Sequence, residues 1–262
     1  MAANGGPPLF DLAGKHALVT AATGPLARAL AVALAEAGAD VSVSTLHDEV
    51  GEEVQANSIL NECWSIGRGG QARRLELTDP AAVAAAVASL ESDVAPIDIL
   101  VNAAHGANIK PLLESSLEDW EREMARNATS VFVATQAVGR GMLERGRGRI
   151  VNIVSVLGER AAPNCALFAA SQGAVLAFTK SVGLEWARRG VTVNALGVGF
   201  IEGLPGPQSD AEVREVLERI VPLGRLGSPE DLQGALIYLV SDEAAFVESA
   251  LFPVDGAIQL RI

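Results

Sequence analysis

HALVTAATGPLARALAVALAEAGADVSVST, residues 16–45, decides the fold. HALVT at 16–20 is a short apolar run that ends in small residues. LARALAVALAEAG then repeats apolar positions at helical spacing until Gly38 stops it. ADVSVST at 39–45 alternates apolar and polar positions and is rich in β-branched side chains, so it reads as a second strand. Strand, turn, helix and strand in that order make one βαβ unit.

The same alternation continues outward. A polar helix is expected at about 48–65 and a strand near 72–77. TDPAAVAAAVASL opens a helix with Thr78 or Asp79 as its cap and Pro80 in its first turn. IDILVNAA (97–104) reads as an apolar strand, GRIVNIVS (148–155) as another buried strand and VTVNALG (191–197) as a sixth. Long helical segments are expected at about 117–144 and 165–189, a shorter one at 229–241, and a last strand near 250–257. Strands that are apolar along their whole length, alternating with helices, imply an α/β fold: a doubly wound parallel sheet of about seven strands with helices on both faces. Residues 1–12, with Gly5, Gly6, Pro7 and Pro8 together, read as a flexible N-terminal tail, and 13–262 as a single domain.

Composition narrows the function. Hydrophobic residues make up 49% and aromatics only 4% of 262 residues, which suits helices on a sheet rather than an aromatic-rich sandwich. A formal net charge of −12 argues against a nucleic-acid partner. Cys63 and Cys165 have no metal-ligand spacing, so no metal is expected. The start lacks a signal-peptide pattern, and no apolar run of 18 residues escapes a charge or a break, so a cytoplasmic protein without a membrane span is expected.

The phrases HALVTAATGPLARALA, IDILVNAAH, RNATSVFVATQA, GRIVNIVSVLG, FAASQGAVLAFTKSVGLEWARRGVTVNAL and FPVDGA, in that order, resemble the successive signatures of the short-chain dehydrogenase/reductases. The resemblance runs from about residue 10 to 257 and is closest in flavour to the β-ketoacyl carrier-protein reductases. It implies a Rossmann-type sheet, a nicotinamide cofactor, an oligomer, and a catalytic set of Asn, Ser, Tyr and Lys.

Several positions depart from that pattern. The family's TGxxxGxG loop stands here as Thr20-Ala21-Ala22-Thr23-Gly24-Pro25-Leu26-Ala27, with Ala21, Pro25 and Ala27 at the glycine positions and Gly24 one place early. Pro25 also removes a backbone N–H that would face a phosphate. Ser44, Thr45 and Leu46 offer neither an acid nor a base at the end of the second strand, and His47 offers only a weak cation. Glu76 and Leu77 occupy the place of the family's adenine contact, and Asn102-Ala103-Ala104-His105 replaces NNAG. Ser155 and Asn127 match the family's serine and asparagine, but Phe168 stands at the tyrosine position and Gln172 at the lysine position. A phenyl ring has no proton to give, and an amide supplies no charge. The single tyrosine, Tyr238, lies in a late helix, and Lys15, Lys110 and Lys180 all fall outside the site. His105 either fills the cofactor space or acts as a replacement acid–base group, since imidazole titrates near neutrality.

The leading expectation from these departures is a catalytically degenerate subunit with nicotinamide binding weak or lost. It would be the structural or regulatory partner of an active homologous subunit, possibly one acting on acyl thioesters, in a heterotetramer or else a homo-oligomer. Its dimer surfaces would be Val131, Phe132, Ala134 and Val138 on one helix and Leu176, Phe178, Val182, Leu184 and Trp186 on the other. The alternatives are an oxidoreductase of the same family with a nonstandard acid, and a non-redox lyase or dehydratase using His105 and Ser155.

Overall fold

A computed structural model describes residues 9–260. Across them the strands β1 (His16–Thr20), β2 (Asp40–Ser44), β3 (Ala72–Arg73), β4 (Ile99–Asn102), β5 (Gly148–Ser155), β6 (Val191–Val198) and β7 (Leu251–Val254) form one sheet in the order β3-β2-β1-β4-β5-β6-β7. Every neighbouring pair is parallel. The order reverses between β1 and β4, and their carboxyl ends flank the crevice where ligands bind in such sheets. The expected fold class is the one observed.

Burial explains the continuous apolar strands. In β1, Ala17 and Val19 join the core under helices α1 (Gly24–Glu36), α2 (Val50–Ser65) and α8 (Gln233–Val240). Leu18 points the other way, into the core under α3 (Pro80–Asp93) and α5 (Ser130–Arg145). A strand covered on both faces has no polar side to show. Helix α6 (Ala166–Trp186) packs on β6 and β5 beside α5. Its length and composition would also suffice to cross a membrane, but Phe168, Val175, Leu176 and others along it are buried within the fold.

Residues 1–8 of the expected tail lie outside the described residues. Of residues 9–12, Leu9, Phe10 and Asp11 are exposed, but Leu12 is fully buried and donates its N–H to the Ala37 carbonyl at 2.8 Å, and the Phe10 ring meets Tyr238 edge-on. Strand β3 is shorter than the 72–77 expected. The Leu75 N–H is taken by the Thr45 hydroxyl at 2.8 Å rather than by a backbone carbonyl, so the ladder stops. Helix α7 (Ala211–Ile220) was not expected at all. Only Leu217 of its ten residues is buried, so the periodic signal of a core helix is weak.

The segment expected at 117–144 is one long rod of α4 (Leu117–Met124), a π-helical turn (Ala125–Thr129) and α5. The expected interface face needs correction. Val131, Ala134, Val138 and Leu176 are buried inside this chain's own core, while Val182 and Trp186 pack against it. Phe132 and Leu184 are exposed, and Phe132 stacks edge-on against Phe178 at 6.2 Å.

Candidate active site

The loop after β1 makes a left-handed turn although Ala21, Pro25 and Ala27 stand at the family's glycine positions. Ala21 adopts φ 51° and Gly24 φ 75°, both in the left-handed region. That conformation costs a non-glycine residue about 1 kcal/mol, so the fold holds Ala21 there against its own preference. The holding contacts are visible: Ala22 N–H donates to the Ser44 carbonyl at 2.7 Å, Thr23 N–H to the Ala21 carbonyl at 2.7 Å, and Gly24 N–H to Gln55 Oε1 at 3.2 Å. Pro25 takes the first turn of α1, and no side chain caps that end. Ala27 is buried in the core beneath the helix.

A cleft of about 300 Å³ remains open above this loop. Thr23, Gly24 and Pro25 line one side, His105, Gly106 and Arg126 another, and Gly203, Leu204 and Pro205 face them. The end of β2 closes the cleft through Leu46 and His47, whose N–H groups both donate to Glu52 Oε2 at 2.8 Å. His47 pairs with Glu76 at 3.2 Å, and Glu76 also accepts from the Thr78 hydroxyl. Leu77 is buried in the core. The Arg126 guanidinium has no ion-pair partner among the described residues; burial raises the pKa of the nearby Glu123 carboxyl, and the Asn108 N–H, the Arg126 charge and Asn127 Nδ2 offset that only in part.

Two expected cofactor contacts turn inward instead. Asn102 is fully buried; its Nδ2 donates to Asn152 Oδ1 at 2.8 Å and to Thr135 Oγ1 at 3.2 Å. Thr20 Oγ1 donates to Asn102 Oδ1 at 3.1 Å. These side chains satisfy one another and tie β1, β4 and β5 together.

The family's catalytic positions form a second buried network. Gln172 lies where the lysine would be, and its Oε1 accepts the Ser155 N–H at 2.8 Å. Ser155 Oγ accepts the Leu157 N–H at 3.2 Å, which caps the turn after β5. Phe168 is 1% exposed, packs with Leu157 and Cys165, and meets the His105 ring edge-on at 5.4 Å. Asn127 sits in the π turn. Its Nδ2 lies within reach of the Gly106 carbonyl (2.9 Å), Ser171 Oγ (2.9 Å) and Glu123 Oε1 (3.0 Å), and its Oδ1 accepts the Gly106 N–H (3.1 Å). It therefore fixes the backbone beside His105. A π turn of this kind is frequently found at a functional site.

His105 borders the cleft, yet its Nδ1 is buried with no hydrogen-bond partner among the described residues. Burial pushes its pKa down to about 4, so the ring is neutral at physiological pH. No hydrogen bond joins it to Ser155 among the described residues. Tyr238 is remote from the site, packed between Phe10 and Phe252. Lys110 and Lys180 pair with Asp119 and Glu159. The sequence reading did not single out Glu52, Gln55, Glu123, Arg126 or Ser171. An arginine immediately before Asn127 was the one signal available for Arg126.

Beside β6 and α7 lies a larger cavity of about 1040 Å³, walled by Val156, Leu157, Phe200, Val213, Leu217 and Ile258, among others. It adjoins the Ser155 turn through Val156 and Leu157.

Comparison with known proteins tests the expectation of lost function. The family described as enoyl-(acyl carrier protein) reductase matches residues 21–258. Gluconate 5-dehydrogenase of Gluconobacter oxydans is 37% identical over 258 residues, covering 98% of this chain and 99% of that protein. The 3-oxoacyl-[acyl-carrier-protein] reductase of Vibrio cholerae is 35% identical over 251 residues, covering 96% and 100%. The crystal structure of a gluconate 5-dehydrogenase from Burkholderia cenocepacia in complex with NADP and tartrate superposes with a TM-score of 0.90 at 34% identity, covering 97% of this chain and 98% of that one.

Two expectations are corrected by these findings. The noncatalytic, pseudoenzyme reading gives way, because relatives that match the chain end to end include a gluconate 5-dehydrogenase and a 3-oxoacyl-[acyl-carrier-protein] reductase. The expectation that cofactor binding is lost gives way too, because a relative of the same fold and length carries NADP. The physical reason is in the loop: Ala21 takes a left-handed conformation at φ 51° where the family pattern has a glycine, so the turn forms without that glycine. The chain belongs to the short-chain dehydrogenase/reductase family.

Proposed function

We propose that this chain is a nicotinamide-dinucleotide-dependent oxidoreductase acting on a secondary alcohol or its ketone, with a proton-handling group other than tyrosine. The left-handed loop at Ala21 beneath an open cleft is the observation that carries this reading. The residues present fit the dinucleotide, but on altered terms. The amides of Ala22, Thr23 and Gly24 already have partners, and Pro25 has none to give. Arg126, on the cleft wall and without an ion pair among the described residues, would hold the pyrophosphate in their place. The uncapped first turn of α1 adds its dipole.

A dinucleotide held there would supply the hydride exchange with the substrate carbon. The chain's own part is to hold the oxygen and move a proton. Ser155, which keeps the family's serine position, would orient the substrate oxygen. His105, neutral at physiological pH and bordering the cleft, would accept the hydroxyl proton during oxidation. A base with so low a pKa is weak, so turnover should fall about 10²–10⁴-fold below that of an optimally matched acid–base group. The family's oligomeric habit fits the exposed Phe132 and Leu184.

Alcohol oxidation followed by NAD(P)H absorbance tests the chemistry. Oxidation should be flat above about pH 5, where His105 is neutral. Ketone reduction, which needs imidazolium, should speed up as pH falls toward 4. His105→Phe should lower both rates by more than any change it makes in dinucleotide affinity. Equal rates in wild type and His105→Phe would remove His105 from the mechanism.

A further inference from the structure

We infer that the larger cavity takes an uncharged substrate with an aliphatic tail, a medium-length ketone or secondary alcohol, and not a polyhydroxy acid. The inference deepens the oxidoreductase reading and rests on it for the reacting end of the substrate. Helix α7 carries it. Val213, Leu217 and Ile220 stand at i, i+4 and i+7, so they form one stripe along the helix. That stripe lines the cavity of about 1040 Å³. Val213 remains 39% exposed, so the helix has an apolar face whose natural cover is a ligand. Val156, Leu157, Phe200 and Ile258 form the opposite apolar wall.

The two charged side chains in the lining are already engaged. Arg160 Nη1 donates to the carbonyls of Ile258 and Gln259, both at 2.7 Å, which fastens the C-terminal segment as part of the wall. Asp210 Oδ1 accepts from the Glu212 and Val213 amides and caps α7. Asn164 and Ser209 are the other polar side chains in the lining, so a polyol entering this space would bury more hydroxyls than it could pair, which is unfavourable. An aliphatic tail would instead tighten binding by up to about fourfold per methylene buried.

Calorimetric titration of the full chain with butan-2-one, hexan-2-one, octan-2-one and D-gluconate, each with and without dinucleotide, tests this. Affinity should rise several-fold per methylene across the ketones, with gluconate weaker than octan-2-one. Val213→Asp should weaken octan-2-one about tenfold or more. Val216→Asp, on the same helix but outside the lining, should leave it unchanged. Both variants should bind dinucleotide as wild type does, which also reports that the fold is intact. A flat response to chain length, or gluconate binding tighter than octan-2-one, would overturn the inference. If dinucleotide binds and the ketone series is flat, the cavity reading alone fails. If the series holds and dinucleotide does not bind, the oxidoreductase reading fails.

Discussion

Three side chains carry most of the consequences at the residue scale. Arg126 is expected to supply a charge-assisted contact to the dinucleotide, so Arg126→Gln should weaken its binding by about tenfold or more without lowering thermal stability, and Arg126→Lys should recover part of the loss. Ala21 is held left-handed at φ 51°, so Ala21→Gly should raise stability by about 1 kcal/mol in a denaturant melt. His105 has a folded-state pKa of about 4 against an ordinary 6.5. A depressed pKa means that the unfolded chain takes up the proton first, so the contribution is complete above about pH 6.5 and disappears as pH falls to 4. Wild type should therefore lose up to about 3 kcal/mol more than His105→Phe across that window. Burial also lowers the pKa of His16, which is present in both proteins and cancels in the comparison. The departures at Ala21, Phe168, Gln172 and His105 were legible in the sequence, but their meaning was not. Nothing in the letters says that an alanine will be forced into a glycine's conformation, or that Gln172 will accept the Ser155 amide.

At the scale of elements, the strands were legible because burial on both faces leaves runs such as ILVN and GRIVNIVS with almost no polar break. Helix α7 was missed for the opposite reason: its apolar stripe faces a cavity rather than a core, so it looks like a charged loop. The π turn around Asn127 was also invisible, since an inserted residue leaves no mark in a helical pattern. The end of β2 makes a prediction about the cofactor. A 2′-phosphate needs a free cation near this point. Here Glu52 holds the Leu46 and His47 amides, and His47 is paired with Glu76. NADH should therefore bind about tenfold more tightly than NADPH, and Glu52→Gln should narrow the gap in a direct titration.

The molecule as a whole was read correctly as a fold and incorrectly as a function. Topology depends on dozens of buried positions, so a few substitutions cannot disguise it. Activity depends on a handful of atoms whose roles neighbouring groups can take over. The exposed Phe132, its partner Phe178 and the exposed Leu184 give the outward faces of α5 and α6 their large apolar side chains. Phe132→Glu combined with Leu184→Glu should shift the protein toward smaller species in sedimentation, with little change in monomer stability. The central claim is that the altered loop still serves a dinucleotide, and calorimetric titration of the intact protein with NADH and NADPH tests it most directly. The account predicts saturable binding near one per chain, with a Kd below about 100 μM for NADH and a loss of about tenfold or more in Arg126→Gln. No saturable binding of either nucleotide up to about 1 mM would contradict it.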